Sequence, residues 1–152
     1  MSTCQPATEL VKEHWFQNVL TTETHDVDLI IVVGHTPLRN ATDSEYDTVL
    51  TAIRSHLPEI PIQFFGGHTH IRDFRKFDEK AAGIESGRYV ETVGWINLDL
   101  QPYRVGRRYI DNNLDSYHFH LGMRTSQEFD TEQGNEISER ILRKVVPCGM
   151  WI

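Results

Sequence analysis

Two short apolar runs constrain this chain more than any other feature, because each stops at glycine and runs straight into histidine. The first is Val27-Asp28-Leu29-Ile30-Ile31-Val32-Val33, followed by Gly34-His35. The second is Ile60-Pro61-Ile62-Gln63-Phe64-Phe65, followed by Gly66-Gly67-His68-Thr69-His70. A nearly continuous, β-branched apolar run of this length predicts a strand buried on both faces, the habit of parallel sheets. Between the runs, Tyr46, Val49, Leu50, Ile53 and Leu57 recur at helical spacing. Thr42-Asp43-Ser44-Glu45 predicts a capping box there, with Thr42 as N-cap and Glu45 reaching back, and Pro58 ends the helix. Strand, helix, strand over this span predicts a βαβ unit with parallel strands and a right-handed crossover.

Leu10, Val11, Trp15, Val19 and Leu20 predict an amphipathic helix over residues 7–20, with Trp15 in the core. Beyond the second run the pattern changes. Residues 88–93, 95–100, 105–110 and 117–121 read as strands joined by short polar turns, a mixed or antiparallel region, with Trp95 read as core. Residues 124–135 read as loop. Ile137, Ile141 and Val145 mark a last helix that Pro147 ends.

The two Gly-His junctions fall at the carboxyl ends of neighbouring strands, the edge where open α/β sheets place their ligands. Glycine lets the backbone turn sharply there. His35, His68 and His70 converging on one edge form a partial site for a Zn, Mn or Fe ion. His68 and His70 are separated only by Thr69, so they are free to serve two different ions. The bland alternative is a set of imidazoles that hydrogen-bond strand ends. Arg72 follows directly and is a candidate phosphate contact, with a structural pairing to a carboxylate as the competing reading. Glu85 and Arg88 flank Gly87 in an expected tight turn and read mainly as structural. His118 and His120 would share one face of a strand, but no glycine-rich turn or carboxylate accompanies them.

Composition closes off other classes. The chain has 152 residues and a formal net charge of −7, against the basic face that nucleic-acid or anionic-membrane binding needs. No secretory leader is read at the start, and the longest apolar run is far too short to span a bilayer. Cys4 and Cys148 form no disulfide framework and read as free thiols. Asn40-Ala41-Thr42 is a sequon that matters only in the secretory pathway.

Val32-Val33-Gly34-His35-Thr36-Pro37 and Phe65-Gly66-Gly67-His68-Thr69-His70 resemble the last two signatures of the calcineurin-like metallophosphoesterases. His70-Ile71-Arg72-Asp73-Phe74 and the stretch from Glu85 to Trp95 are similar to a fungal 5′-nucleotidase-like branch of that superfamily. The resemblance implies an αββα sandwich with two divalent metal ions and a bridging hydroxide. It implies His35 and His68 on one metal and His70 on the other, and a phosphate-ester small molecule, such as a nucleotide, as substrate. A cytosolic or vacuolar location is implied in the same way.

The family's earlier signatures, D-x-H, G-D-x-x-D and G-N-H, do not occur here. Three imidazoles alone leave two close dications without a neutralising carboxylate. The fold expected is therefore α/β, an incomplete half of the sandwich. Residues 1–101 would be the C-terminal part of the phosphoesterase domain, and residues 102–152 continuing strands and the start of an extension. The partner such a chain needs is the missing N-terminal half of the domain. The functional expectation is a fragment of a metal-dependent phosphoesterase that is inactive alone. A non-catalytic degenerate relative or metal-binding interaction module is the main alternative, and a mononuclear zinc hydrolase a third.

Overall fold

The computed structural model describes residues 5–22, 27–39, 44–123 and 129–145. The chain divides into two units, Met1–Asp111 and Asn112–Ile152.

In the first unit, β1 (Ile30–Val33), β2 (Ile62–Phe65), β3 (Arg72–Asp78) and β4 (Ala81–Ser86) form a four-stranded sheet in the order β1-β2-β4-β3. The pairs β1–β2 and β2–β4 are parallel, and β3–β4 is antiparallel. Helix α3 (Glu45–His56) connects β1 to β2, so the expected strand-helix-strand unit with parallel strands is present. Two further strands, β5 (Thr92–Leu100) and β6 (Tyr103–Asp111), pair antiparallel as a separate hairpin. The fold is α/β, with parallel and antiparallel strands mixed in the four-stranded sheet.

The core lies between α3 and one face of the sheet. Tyr46, Val49 and Ile53 from α3 meet Ile62, Phe64 and Ala81. Tyr46 and Phe77 both pack on the Phe64 ring, at centroid distances of 5.0 and 4.7 Å. The small residues Ala81 and Gly83 make room on β4 for this aromatic cluster, where a Cβ on Gly83 would stand 3.0 Å from the Phe77 ring and 3.1 Å from Phe64.

Several expectations are corrected. The predicted helix over residues 7–20 is broken into α1 (Ala7–Leu10) and α2 (His14–Thr22). Trp15 and Trp95 are about half exposed rather than core. β1 is buried on one face only. Ile30 and Val32 turn toward the core, whereas Ile31 and Val33 are 59% and 75% exposed. No described element covers the face that carries Ile31 and Val33. Helix α3 is capped by Ser44, whose Oγ accepts from the Asp47 backbone N–H at 3.1 Å. Thr42, the expected cap, lies outside the described residues, as do Cys4, Cys148, the sequon and Pro147. Glu45 does not reach back, because its carboxylate accepts from the Ala7 N–H and tethers α1. Strands β3 and β4 replace what composition left unassigned between residues 71 and 87.

The second unit contains helices α4 (Leu114–Leu121) and α5 (Glu132–Val145). The strand expected at 117–121 is thus a helix, capped by Asn113 at its start and by Gly122 in the left-handed region, φ +67°, at its end. The helix places His118 and His120 on different sides, not on one face. Helix α5 carries Ile137 and Ile141 as expected, and begins inside the stretch read as loop. The expected division between residues 101 and 102 falls in the turn of the β5–β6 hairpin.

Candidate functional site at the carboxyl edge of the sheet

Because β1, β2 and β4 are parallel, their carboxyl ends lie in a row. Val33 pairs with Phe65, and Phe65 with Ile84. The ladder runs on through Gly34 N–H to the Phe65 carbonyl at 3.1 Å and Gly66 N–H to the Ile84 carbonyl at 3.0 Å. His35 therefore leaves β1 beside His68 leaving β2. Their rings meet edge to face, with centroids 5.4 Å apart and planes at 88°. Two imidazoles each ~2.1 Å from one ion at a tetrahedral angle would have centroids roughly 5 Å apart, so this pair fits a shared ion.

The junction glycines sit at close approaches to the side chains around them. A Cβ on Gly67 would stand 3.3 Å from His35 Nδ1, and one on Gly66 only 3.0 Å from the Leu38 side chain. The Gly67 N–H also donates to the Thr36 carbonyl at 3.1 Å, tying the two loops.

His68 and His70 adopt left-handed backbone, at φ +80° and +63°. Non-glycine residues in this region cost about 1–3 kcal/mol each and persist only where the surroundings impose them. Here the imposing contact is at Thr69, the residue between them. Its hydroxyl donates to Glu85 Oε2 beneath the loop. Thr69 is held inward while His68 and His70 are both exposed. A hydrogen bond to a charged acceptor contributes about 1.5–3 kcal/mol, of the same order as the strain it opposes.

Glu85 is the group sequence reasoning undervalued. It sits near the end of β4, 1% exposed. Its other oxygen, Oε1, accepts the Leu38 backbone N–H at 2.6 Å. Leu38 belongs to the loop that carries His35 and is itself fully buried. Tyr46 was also missed as a site residue. Its hydroxyl lies 2.8 Å from the carbonyl oxygens of both Gly34 and Phe65, the residues that lead into the two histidine loops, and its single proton is shared between them. Burial, aided by the nearby Glu85 charge, pushes the Tyr46 phenol up to about 12. The only sequence signal for Glu85 was its position before a Gly-containing turn. Tyr46 carried none beyond its place on the helix's apolar stripe.

Further contacts fix the first loop. Arg75 donates to the Leu38 carbonyl at 2.9 Å, and Arg39 reaches Asp73 at 2.7 Å and the Phe74 carbonyl at 2.7 Å. Arg72 starts β3 at the same sheet edge. Its guanidinium is engaged by Thr92 Oγ1 at 2.6 Å and by the Asp111 carboxylate. Arg88 covers the Tyr89 ring at 4.6 Å.

The donor set is partial. Among the described residues, no three His, Cys, Asp or Glu side chains gather closely enough to hold a metal ion. His35 and His68 are brought together, and His70 stands exposed one residue beyond Thr69. The one buried carboxylate nearby, Glu85, spends both oxygens on the loops. The spacing of the His35 and His68 rings is that of two imidazoles on one ion, and the described residues do not by themselves make up a metal centre.

No family model matches the chain. It is 38% identical to an uncharacterised protein of Saccharomyces cerevisiae over 146 residues, covering 90% of this chain and 24% of the relative. It is 33% identical to an uncharacterised protein of Schizosaccharomyces pombe, covering 90% and 27%. It is also 33% identical to a protein of Arthroderma benhamiae described as a secreted protein, covering 89% and 26%. Among solved structures it is similar to the 5′-nucleotidase of Candida albicans, with a TM-score of 0.75 and 41% identity over 94% of this chain and 27% of that one. The chain thus spans about a quarter of the length of each protein it matches.

Proposed function

We propose that this chain is one part of a metal-dependent phosphoesterase of the 5′-nucleotidase type, inactive alone. It would be part of an αββα metallophosphoesterase sandwich. It would supply His35 and His68 to one divalent ion and His70 to a second, of the Zn, Mn or Fe class. The observation that carries this reading is the His35–His68 pair at neighbouring parallel strand ends, in a chain 41% identical to a solved 5′-nucleotidase. The strained backbone at His68 and His70 supports it, since such strain is concentrated at functional sites.

The carboxylates needed to neutralise two close dications would come from the missing N-terminal half of the domain. β1 is an edge of the described sheet, where a strand of that half would pair, and its exposed Ile31 and Val33 face would be covered by the other layer of the sandwich. The substrate class is a phosphate-ester small molecule, with a nucleotide favoured by the solved neighbour. Two of the Arg72 guanidinium nitrogens already hold Thr92 and Asp111, which ties β3 to the hairpin, and its remaining N–H groups would be the ones to meet phosphate.

A chimera tests this reading. The matching quarter of the Candida albicans 5′-nucleotidase is replaced by this chain, and hydrolysis of adenosine 5′-monophosphate is measured with added Zn or Mn. The chimera is expected to be active, and His35→Ala or His68→Ala to lower kcat/KM by roughly a hundredfold or more. The chain alone is expected to show no turnover. A folded, active chimera that tolerates both substitutions would overturn the proposal.

A further inference from the structure

We infer that Glu85 is a positioning residue whose two carboxylate oxygens clamp the two histidine loops to one another, and so set where His35 stands relative to His68 and His70. The inference rests on the reading that these imidazoles are ligands, but it concerns how this chain places them.

The geometry is specific. Oε1 accepts from the Leu38 N–H, three residues past His35. Oε2 accepts from the Thr69 hydroxyl, between His68 and His70. Nothing else in the first loop can replace the Leu38 contact, because Leu38 is fully buried and its N–H has no water to turn to. Glu85 itself is pinned on β4, whose register places it opposite Asp73 in β3. Asp73 in turn holds Arg39, the residue after Leu38. The carboxylate therefore sits on the rigid sheet and grips two loops that lie on either side of the β1–β2 junction.

The Leu38 N–H can only donate, whereas the Thr69 hydroxyl donates or accepts. An amide of the same shape keeps both contacts by turning its oxygen to the Leu38 N–H and its N–H to the Thr69 hydroxyl, whereas an apolar side chain of similar size keeps neither. Rings held by packing and supporting hydrogen bonds keep their geometry, and rings that lose them do not.

The test uses the full chain and reads the imidazoles directly. Side-chain histidine resonances and the Leu38 backbone amide are followed by NMR in wild type, Glu85→Leu and Thr69→Val, with thermal unfolding measured on each. Glu85→Leu removes both acceptors and is expected to shift the Leu38 amide and His35 together with His68 and His70, leaving His14 and His56 in place. Thr69→Val cuts one arm only, and is expected to move His68 and His70 while the Leu38 amide stays. If Glu85→Leu fails to fold, Thr69→Val alone decides. Shifts confined to one loop in Glu85→Leu, or no shift at His68 and His70 in Thr69→Val, would overturn the clamp.

A Zn titration of the same proteins separates this inference from the proposed function. Wild type that binds no Zn, with the predicted resonance pattern intact, counts against the metal reading and leaves the clamp standing. Where Zn binds, Glu85→Leu is expected to weaken it about 10-fold or more.

Discussion

At the scale of single residues, the site depends on what is small and what is buried. Gly67→Ala would put a methyl group 3.3 Å from His35 Nδ1. The imidazole is expected to move, while the unfolding free energy in urea stays within about 1 kcal/mol of wild type. Tyr46→Phe removes the hydroxyl that holds the Gly34 and Phe65 carbonyls, and is expected to destabilise by about 1 kcal/mol in the same assay. The Tyr46 phenol, pushed up to about 12 chiefly by burial, also sets an alkaline limit. A raised folded-state value means stability that is full below the ordinary tyrosine range and is lost as pH climbs from ~10 toward 12. Burial pushes Tyr103 and Tyr109 in the same direction. Denaturation followed by circular dichroism between pH 9 and ~12 checks this, and Tyr46→Phe is expected to flatten part of the slope.

At the scale of elements, charged side chains explain what hydrophobic pattern could not. β3 reads Arg-Asp-Phe-Arg-Lys-Phe-Asp and looks like solvated loop. It forms a strand because its charges have partners. Arg75 reaches Asp47 at 2.7 Å and lies 4.3 Å from the Phe77 ring, and Asp78 is held by Arg54. Arg54 also donates to the Leu57 and Ile60 carbonyls, closing the end of α3 onto the approach to β2. Arg54→Ala is expected to cost roughly 2 kcal/mol by urea unfolding, most of it from unsatisfied acceptors. Burial works against the Asp47 and Asp78 carboxylates, but hydrogen bonds from Arg75, Ser44 and Arg54 outweigh it and hold both below the usual range. Their contribution is therefore present at neutral pH and is lost as pH falls below about 4. Unfolding midpoints at pH 7 and ~3 should differ less in an Asp47→Asn, Asp78→Asn double variant than in wild type.

At the scale of the whole molecule, the open edge is the dominant liability. Ile31 and Val33 on β1 are exposed, beside Trp15 and Val19 of α2. An uncovered apolar edge strand is a template for self-association. Val33→Lys is expected to reduce aggregation of the isolated chain, read by light scattering, with little change in its unfolding midpoint. The exposed face of the same strand corrects the expectation of a doubly buried one. A run such as Ile-Ile-Val-Val reports that two covered faces suit it, and whether both are covered depends on neighbours outside the run.

The sequence by itself determined the two short strands, the helix between them, and the placing of His35 and His68 at one sheet edge. Each follows from local signals: β-branched runs, helical spacing, and glycine where the backbone must turn close to a ring. The same local signals misread residues 117–121, because alternation of aromatic and polar residues cannot be told from a capped helix until Asn113 and Gly122 are weighed. Only the tertiary structure decided that Glu85, expected to be structural, lies beneath both histidine loops. A buried carboxylate is identified by the donors it meets, and Leu38 and Thr69 are 47 and 16 residues away from it along the chain.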